Sequence, residues 1–313
     1  MAAKAKKGRL LQVIEYGAAY FFISLFRSLP SGVTYRLSGL FGNLLFRFVP
    51  RRRDIALDNV RKAFAGEKTE TEIRDIARKS CQSLFLTAFE VIKSQKVFRS
   101  PDVMEQLRKT SDDLERLFLK AKKIHDEANG CIFVTPHIGN WELLPSVSAV
   151  VGIPLVMVAR PLDNPYLEKL FYENRTVAGQ MVIPKKNAMF VLQRTLQQGK
   201  SIGMLTDQST IKGILVDFFG RKATTTPVPA VLAITKNRPI VVVACCRTAD
   251  FRFEGFVCDP IWPGSYEHEK DEIYRITQEI NRQMESIIRK YPEQYFWLHN
   301  RWKTYAGTKE VMS

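Results

Sequence analysis

The sequence predicts an α/β protein, a largely parallel central sheet covered by helices, preceded by a helical, apolar and basic N-terminal segment. Three observations carry this expectation. From Cys131 onward short apolar runs alternate with helical patterns, before it the apolar residues fall at helical spacing, and positive charge gathers at the start of the chain. A length of 313 residues suffices for one α/β core plus a helical extension. The expected organisation is a membrane-associating helical segment over 1–50, a helical region packing on the core over 51–127, and the α/β core over 128–313.

The N-terminal segment is read from its charge and its grease. The net charge is +15, and residues 1–66 hold twelve Lys or Arg against Glu15, Asp54 and Asp58. Such an excess implies an anionic partner. Between the cations lie Tyr16, Tyr20, Phe21, Phe22 and Phe26, then Phe41, Leu44, Leu45, Phe46 and Phe48, with Arg51, Arg52 and Arg53 following. Cations interleaved with large apolar side chains suit an anionic membrane surface and not a nucleic-acid groove. The uncharged run from Tyr16 to Phe26 is shorter than the ~20 residues of a spanning helix. The expectation is therefore a helix dipping into the inner leaflet, with one short span, extended by a snorkelling Arg27, as the alternative. No small-x-small cleavage site follows Phe26. The five cysteines show no C-x-x-C spacing and read as buried, reduced thiols. With the basic residues held inside, the bulk of the chain faces the cytoplasm.

The helical region follows from spacing. Ala56, Val60, Ala63 and Phe64 share a helix face that Gly66 ends, Thr69 or Thr71 caps the next helix, and Ile73, Ile76, Ala77, Leu84, Ala88 and Ile92 line its face. Residues 101–127 are charged and helical in pattern. Strands are expected near 131–135, 155–159, 180–184, 201–206 and 239–247, with helices near 141–150, 165–178, 187–198 and 227–237. Phe251 to Cys258 reads as an added strand and Glu267 to Lys290 as the closing helix. Phe218-Phe219-Gly220-Arg221 reads as a tight turn with two packed rings or as a direct substrate contact.

Chemistry gathers at strand ends. His137 follows the first core strand in Thr135-Pro136-His137-Ile138-Gly139-Asn140-Trp141-Glu142, with Asn140 as a helix N-cap. On one continuous helix residues five apart would diverge by about 140°. The break at Pro136 and Gly139 lets Glu142 fold back toward His137 and accept from one ring nitrogen, leaving the other free as a base. Arg160 follows the second strand and Asp207-Gln208 the fourth, so a parallel sheet brings His137, Arg160 and Asp207 to one rim, where ligand crevices form. The plainer alternatives are a loop histidine beside a helix-start acid, and an Arg160–Asp207 pair without chemistry. The four histidines lack metal-ligand spacing, and neither G-x-G-x-x-G nor a Walker loop is present, so no metal or cofactor is expected. His299-Asn300-Arg301-Trp302-Lys303 reads as a phosphate contact or as a solvated basic terminus.

The order of these blocks resembles the lipid A biosynthesis acyltransferase family, the late or secondary acyltransferases. The matching stretches are Arg51 to Val60 with Phe64, Pro136 to Glu142, Ala159-Arg160-Pro161, Asp207-Gln208, Val216 to Gly220 with Thr226-Pro227, and Tyr295 to Lys303. The resemblance implies a glycerolipid acyltransferase-like fold at the cytoplasmic face of a bacterial inner membrane. It implies transfer of a fatty acyl group from acyl carrier protein to a hydroxyl of a membrane glycolipid, such as a hydroxyacyl chain of a lipid A precursor. By the same likeness His137 is the general base, Glu142 its orienting partner in place of the aspartate many members carry, and Arg160 and Asp207 line the substrate pocket. The alternatives are acylation of an inositol mannoside or aminolipid, and a non-catalytic basic peripheral membrane protein.

Overall fold

Helices build the first third of the chain in the computed structural model, which describes residues 8–94, 102–159, 162–170, 181–184, 188–250, 252–303 and 305. The helices α1 (Arg9–Ser28), α2 (Ser31–Phe48), α3 (Pro50–Ala63) and α4 (Glu70–Ser94) follow one another closely. Pro30 sits at the N-cap of α2 and Pro50 opens α3, where a missing N–H costs nothing. Thr69 and Glu72 form a reciprocal capping box at the start of α4: the Thr69 N–H donates to Glu72 Oε2 (2.8 Å) and the Glu72 N–H to Thr69 Oγ1 (3.3 Å). Gly42 lets α2 lie directly on α4, since a Cβ there would fall 2.5 Å from the Gln82 backbone. Phe26 stacks on Phe89 at 4.3 Å and joins α1 to α4.

The outer sides of α1 and α2 leave Leu10, Ile14, Phe21, Phe22, Leu40 and Phe48 exposed. Among the described residues no helix is long and apolar enough to cross a membrane. Two further helices, α5 (Val103–Thr110) and α6 (Asp112–Ala128), lead to the sheet.

The sheet has six strands in the order β3-β2-β4-β1-β7-β8. They are β1 (Ile132–Thr135), β2 (Leu155–Ala159), β3 (Met181–Pro184), β4 (Ser201–Leu205), β7 (Ile240–Arg247) and β8 (Phe253–Val257). The first five are parallel to their neighbours, and β8 closes one edge antiparallel to β7. Helices α7 (Leu143–Ser148), α8 (Ala188–Gln197), α9 (Val228–Lys236) and α10 (Glu269–Lys290) complete the layers. Residues 165–170 are helical, and the rest of the helix expected to 178 lies outside the described residues.

Alternation along the strands divides the interior in two. Ile132, Val134, Val242 and Ala244 face a core shared with α3, α4, α9 and α10, whereas Phe133, Val241 and Val243 face α6 and α7. Both faces are buried, which is why these strands read as unbroken apolar runs. The helices α3 and α4 share their core with the sheet and are tied to it by polar contacts. The Asn59 amide donates to the Trp297 and His299 carbonyls (2.7 and 2.6 Å), and the Ser80 hydroxyl to the Tyr295 carbonyl (2.6 Å).

One element departs from the sequence expectation. Strands β5 (Ile214–Phe218) and β6 (Arg221–Thr225) form a separate antiparallel hairpin, closed by Phe219 and Gly220 at φ 53° and 67°. Two consecutive positive φ values are the mark of a type I′ turn, whose twist matches the strands it joins. Of the two sequence readings, a tight turn with packed rings or a direct substrate contact, the structure shows the turn, with the Phe218 and Phe219 rings meeting at 4.9 Å. The flanking strands were not expected, because β6 opens on Arg221-Lys222 and lacks clean alternation.

All five cysteines are free, four buried and Cys258 half-buried. Burial pushes the Cys81, Cys131 and Cys245 thiols up to about 12.

Candidate active site

The loop after β1 is held by backbone contacts on three sides. The Phe296 N–H donates to the His137 carbonyl (2.9 Å), the Asn140 N–H to the Cys245 carbonyl (3.0 Å), and the Thr87 hydroxyl to the Gly139 carbonyl (2.7 Å). Gly139 has φ 57°, and a Cβ there would lie 2.0 Å from the Cys245 oxygen, so only glycine fits. The helix α7 starts two residues later than an Asn140 N-cap would have it, with Glu142 at the N-cap; the Asn140 side chain accepts the Leu143 N–H (3.2 Å) from the preceding turn and donates to Glu90 Oε2 (2.7 Å). Glu90 in turn holds Arg247 in a two-pronged pair, Nε to Oε1 at 2.8 Å and Nη2 to Oε2 at 2.6 Å. A half-buried ionic latch thus fastens the loop to α4 and β7.

His137 meets a carboxylate, and it is that of Asp207. Oδ1 of Asp207 lies 2.7 Å from His137 Nδ1, and Oδ2 accepts the His137 backbone N–H at 2.8 Å. Because β1 and β4 are neighbours with Thr135 beside Leu205, residues two places past each strand end face one another. The sequence pairs Glu142 with the ring and puts Asp207 in the substrate pocket; in the structure the carboxylate at Nδ1 is that of Asp207. Glu142 stands at the N-cap of α7, lines the adjoining cavity and acts on His137 through its charge. Arg160 lies outside the described residues.

An ionised carboxylate can only accept, so Nδ1 carries the proton and Nε2 keeps its lone pair. Nε2 faces the Gln208 side-chain amide, 3.5 Å from its nitrogen. Trp141 and Phe296 flank the imidazole at 5.4 and 6.0 Å between ring centres. Burial works against the imidazolium, yet the Asp207 charge, its hydrogen bond and the Glu142 charge together raise the His137 pKa above its ordinary value. Asp207 is 2 % exposed. Burial disfavours its anion, but His137 and the nearby Arg301 outweigh this and hold its carboxyl below the usual range.

Residues from the C-terminal segment complete the surroundings of Asp207. Arg301 is 1 % exposed; its guanidinium donates to the Thr224 carbonyl (2.7 Å) and Thr225 Oγ1 (2.6 Å) and lies over the Phe218 ring. It is therefore neither a surface phosphate contact nor part of a solvated terminus, as the sequence had allowed. Burial, the Asp207 charge and a hydrogen bond to Asp207 push the Tyr295 hydroxyl well above its ordinary pKa. His299 Nε2 accepts the Ser209 N–H at 3.2 Å. Tyr295 was missed as a site residue, and Arg301 was read only as a surface group; burial of a cation is the last thing its residue type suggests. Among the described residues no cluster of three His, Cys, Asp or Glu is placed to hold a metal ion.

A cavity of about 700 Å³ opens beside the imidazole. Trp141, Glu142 and Gln208 stand at the catalytic end, and Leu117, Phe118, Phe133, Ile153 and Leu155 line the remainder. The arrangement offers a half-buried base next to residues that line a largely apolar chamber, suited to reaction at the polar end of a hydrocarbon ligand.

Known proteins resemble this chain in sequence. The curated relatives include the lipid A biosynthesis lauroyltransferase of Escherichia coli (24 % identical, covering 88 % of this chain and 87 % of that protein). They also include the palmitoleoyltransferase of the same organism (25 %, covering 90 % and 88 %). A phosphatidylinositol mannoside acyltransferase of Mycolicibacterium smegmatis is 26 % identical over 182 residues, which span 56 % of this chain and 58 % of that protein. The family model described as bacterial lipid A biosynthesis acyltransferase matches residues 3–304, and the chain belongs to that family.

Proposed function

We propose that this chain transfers a fatty acyl group from an acyl carrier protein thioester to a hydroxyl of a membrane glycolipid, the hydroxyacyl chain of a lipid A precursor, with His137 as general base. The observation that carries the reading is the His137–Asp207 pair at 2.7 Å beside a 700 Å³ apolar cavity. The acceptor hydroxyl gives its proton to His137 Nε2 as its oxygen attacks the thioester carbon. The tetrahedral oxyanion then collapses, the C–S bond breaks, and the imidazolium returns the proton to the departing thiolate. Asp207 stabilises the imidazolium while it exists, and Glu142 adds a second negative charge from the cavity side. Arg160, which follows β2 in the sequence, is assigned to the substrate by family likeness.

The exposed apolar side chains of α1 and α2, together with the basic residues around them, support docking on the cytoplasmic face of a bacterial inner membrane. A second reading, an inositol mannoside acceptor, is favoured by the mycobacterial relative. One assay separates the readings: wild type and His137→Ala are each given labelled acyl carrier protein and either a lipid A precursor or a phosphatidylinositol mannoside. Labelling of the first acceptor by wild type alone is expected. Labelling of the mannoside alone selects the second reading, and equal labelling by both proteins removes His137 as the base.

A further inference from the structure

One wall of the cavity is a row of the sheet with its middle side chain missing. In register, Phe133 of β1 lies beside Gly203 of β4, and Gly203 beside Met157 of β2. Residues level with one another in neighbouring strands project to the same face. All three line the cavity, under a roof that includes Phe118 and Ala121 of α6. Phe133 and Met157 therefore flank a furrow over the bare backbone of Gly203.

Glycine inside a central strand weakens it, and its usual reasons are a bulge, a left-handed turn or the close approach of another group. The ladder through β4 runs unbroken from Ile202 to Leu205 against β1, so there is no bulge. Gly203 is absent from the positive-φ glycines. The three atoms nearest to a Cβ built there belong to side chains, Leu155 Cδ2 at 3.1 Å, Leu155 Cγ at 3.4 Å and Met157 Cγ at 3.4 Å. Both of those side chains line the same cavity. The group that approaches closely is thus the cavity wall itself, so a side chain at this position would push Leu155 and Met157 into the space they line.

We propose that Gly203 is the residue that sets which acyl chain the enzyme accepts: the donor's hydrocarbon lies in the furrow between Phe133 and Met157, and its far end is measured there. This rests on the acyl-transfer reading. The chain enters past Trp141 and Gln208, beside the nitrogen that takes the proton, so its thioester carbonyl is held at the base while its tail crosses the sheet. The walls are apolar where the tail lies, as a saturated chain requires. Adding a methyl group at Gly203 shortens the space without touching His137, Asp207 or the loop between them.

The test is the chain-length profile of kcat/KM over an even-numbered series of saturated acyl carrier protein thioesters, with one acceptor held constant. Gly203→Ala is expected to move the optimum to shorter chains. Each methylene displaced from the cavity lowers the value about fourfold, so losing room for two costs the longest good donor about fifteenfold. Gly203→Val moves the optimum further. Met157→Ala, which widens the furrow from its other side, moves it to longer chains and decides the matter if the Gly203 variants do not fold. A profile unchanged in shape, or a shift in acceptor KM alone, overturns the assignment of this furrow to the donor chain. A wild-type protein that transfers no acyl group from any donor fails in a different way, and sinks the acyl-transfer reading itself.

Discussion

Asp207→Asn separates the roles of the two carboxylates near His137. The substitution keeps the volume but not the bonding, because the carboxylate receives two N–H groups, from the ring and from the backbone of His137. An amide oxygen can take one of them, and its NH₂ then confronts the other. If the oxygen keeps the backbone N–H, the ring must turn its lone pair to the NH₂, and the proton moves to Nε2, where the base should be. The imidazolium formed during reaction also loses a counter-charge about 4 Å from its centre, worth ~4 kcal/mol at an effective dielectric constant of about 20. That corresponds to about a 10³-fold fall in kcat, with KM for either substrate nearly unchanged. The pH profile supplies an independent reading. The base works only when neutral, so activity fails as pH drops through the His137 pKa, which Asp207 and Glu142 raise above that of a free imidazole. Asp207 raises that pKa more than Glu142 does, so Asp207→Asn is expected to move the acid limb of kcat/KM to lower pH by more than Glu142→Gln. Circular dichroism checks that each variant is folded. A kcat within tenfold of wild type, or a larger shift of the limb in Glu142→Gln, would refute the pairing.

Other outcomes follow from the scaffold and its surface. Arg247→Ala leaves Glu90 half-buried without its two-pronged partner and should lower stability by about 3 kcal/mol in denaturant unfolding; a loss under 1 kcal/mol would show the latch to be dispensable. Arg247→Lys should recover little of this, since an ammonium cannot reproduce the fork. Gly139→Ala, with its Cβ 2.0 Å from a backbone oxygen, should abolish folding or activity. Gly66→Ala shares a positive φ but meets nothing within 4 Å, and should cost only about 1 kcal/mol. Equal effects at the two glycines would show that φ alone, not contact, governs them. Phe21→Glu with Phe22→Glu should weaken co-sedimentation with anionic vesicles at least about tenfold, since both rings are exposed on α1; unaltered binding would move the lipid contact elsewhere.

Much of the fold was legible because two-sided burial writes itself into a sequence as apolar runs, and Ile132 to Thr135 or Ile240 to Cys246 admit few other readings. That His137 and Asp207 stand at carboxyl ends was equally legible. Which of two acids touches the ring was not. Glu142 is five residues from His137 and Asp207 is seventy, but β4 inserts beside β1 while β2 and β3 lie farther out, and strand order is not printed in local pattern. The strands flanking the turn at 219–220 stayed hidden because β6 opens on Arg221-Lys222 and lacks clean alternation. Arg301 stayed hidden because its partners are the Thr224 carbonyl and the Thr225 hydroxyl, which no spacing rule connects to it.

The state of the sulfur atoms under the catalytic loop has its own outcome. Cys245 donates its S–H to the Asn140 carbonyl at 3.0 Å, and with its pKa near 12 only about one molecule in 10⁵ carries a thiolate at neutral pH. An activated ester brought to this site meets no sulfur nucleophile that could intercept it. Alkylating reagents, for which half-buried Cys258 is the most accessible native thiol, should leave turnover intact.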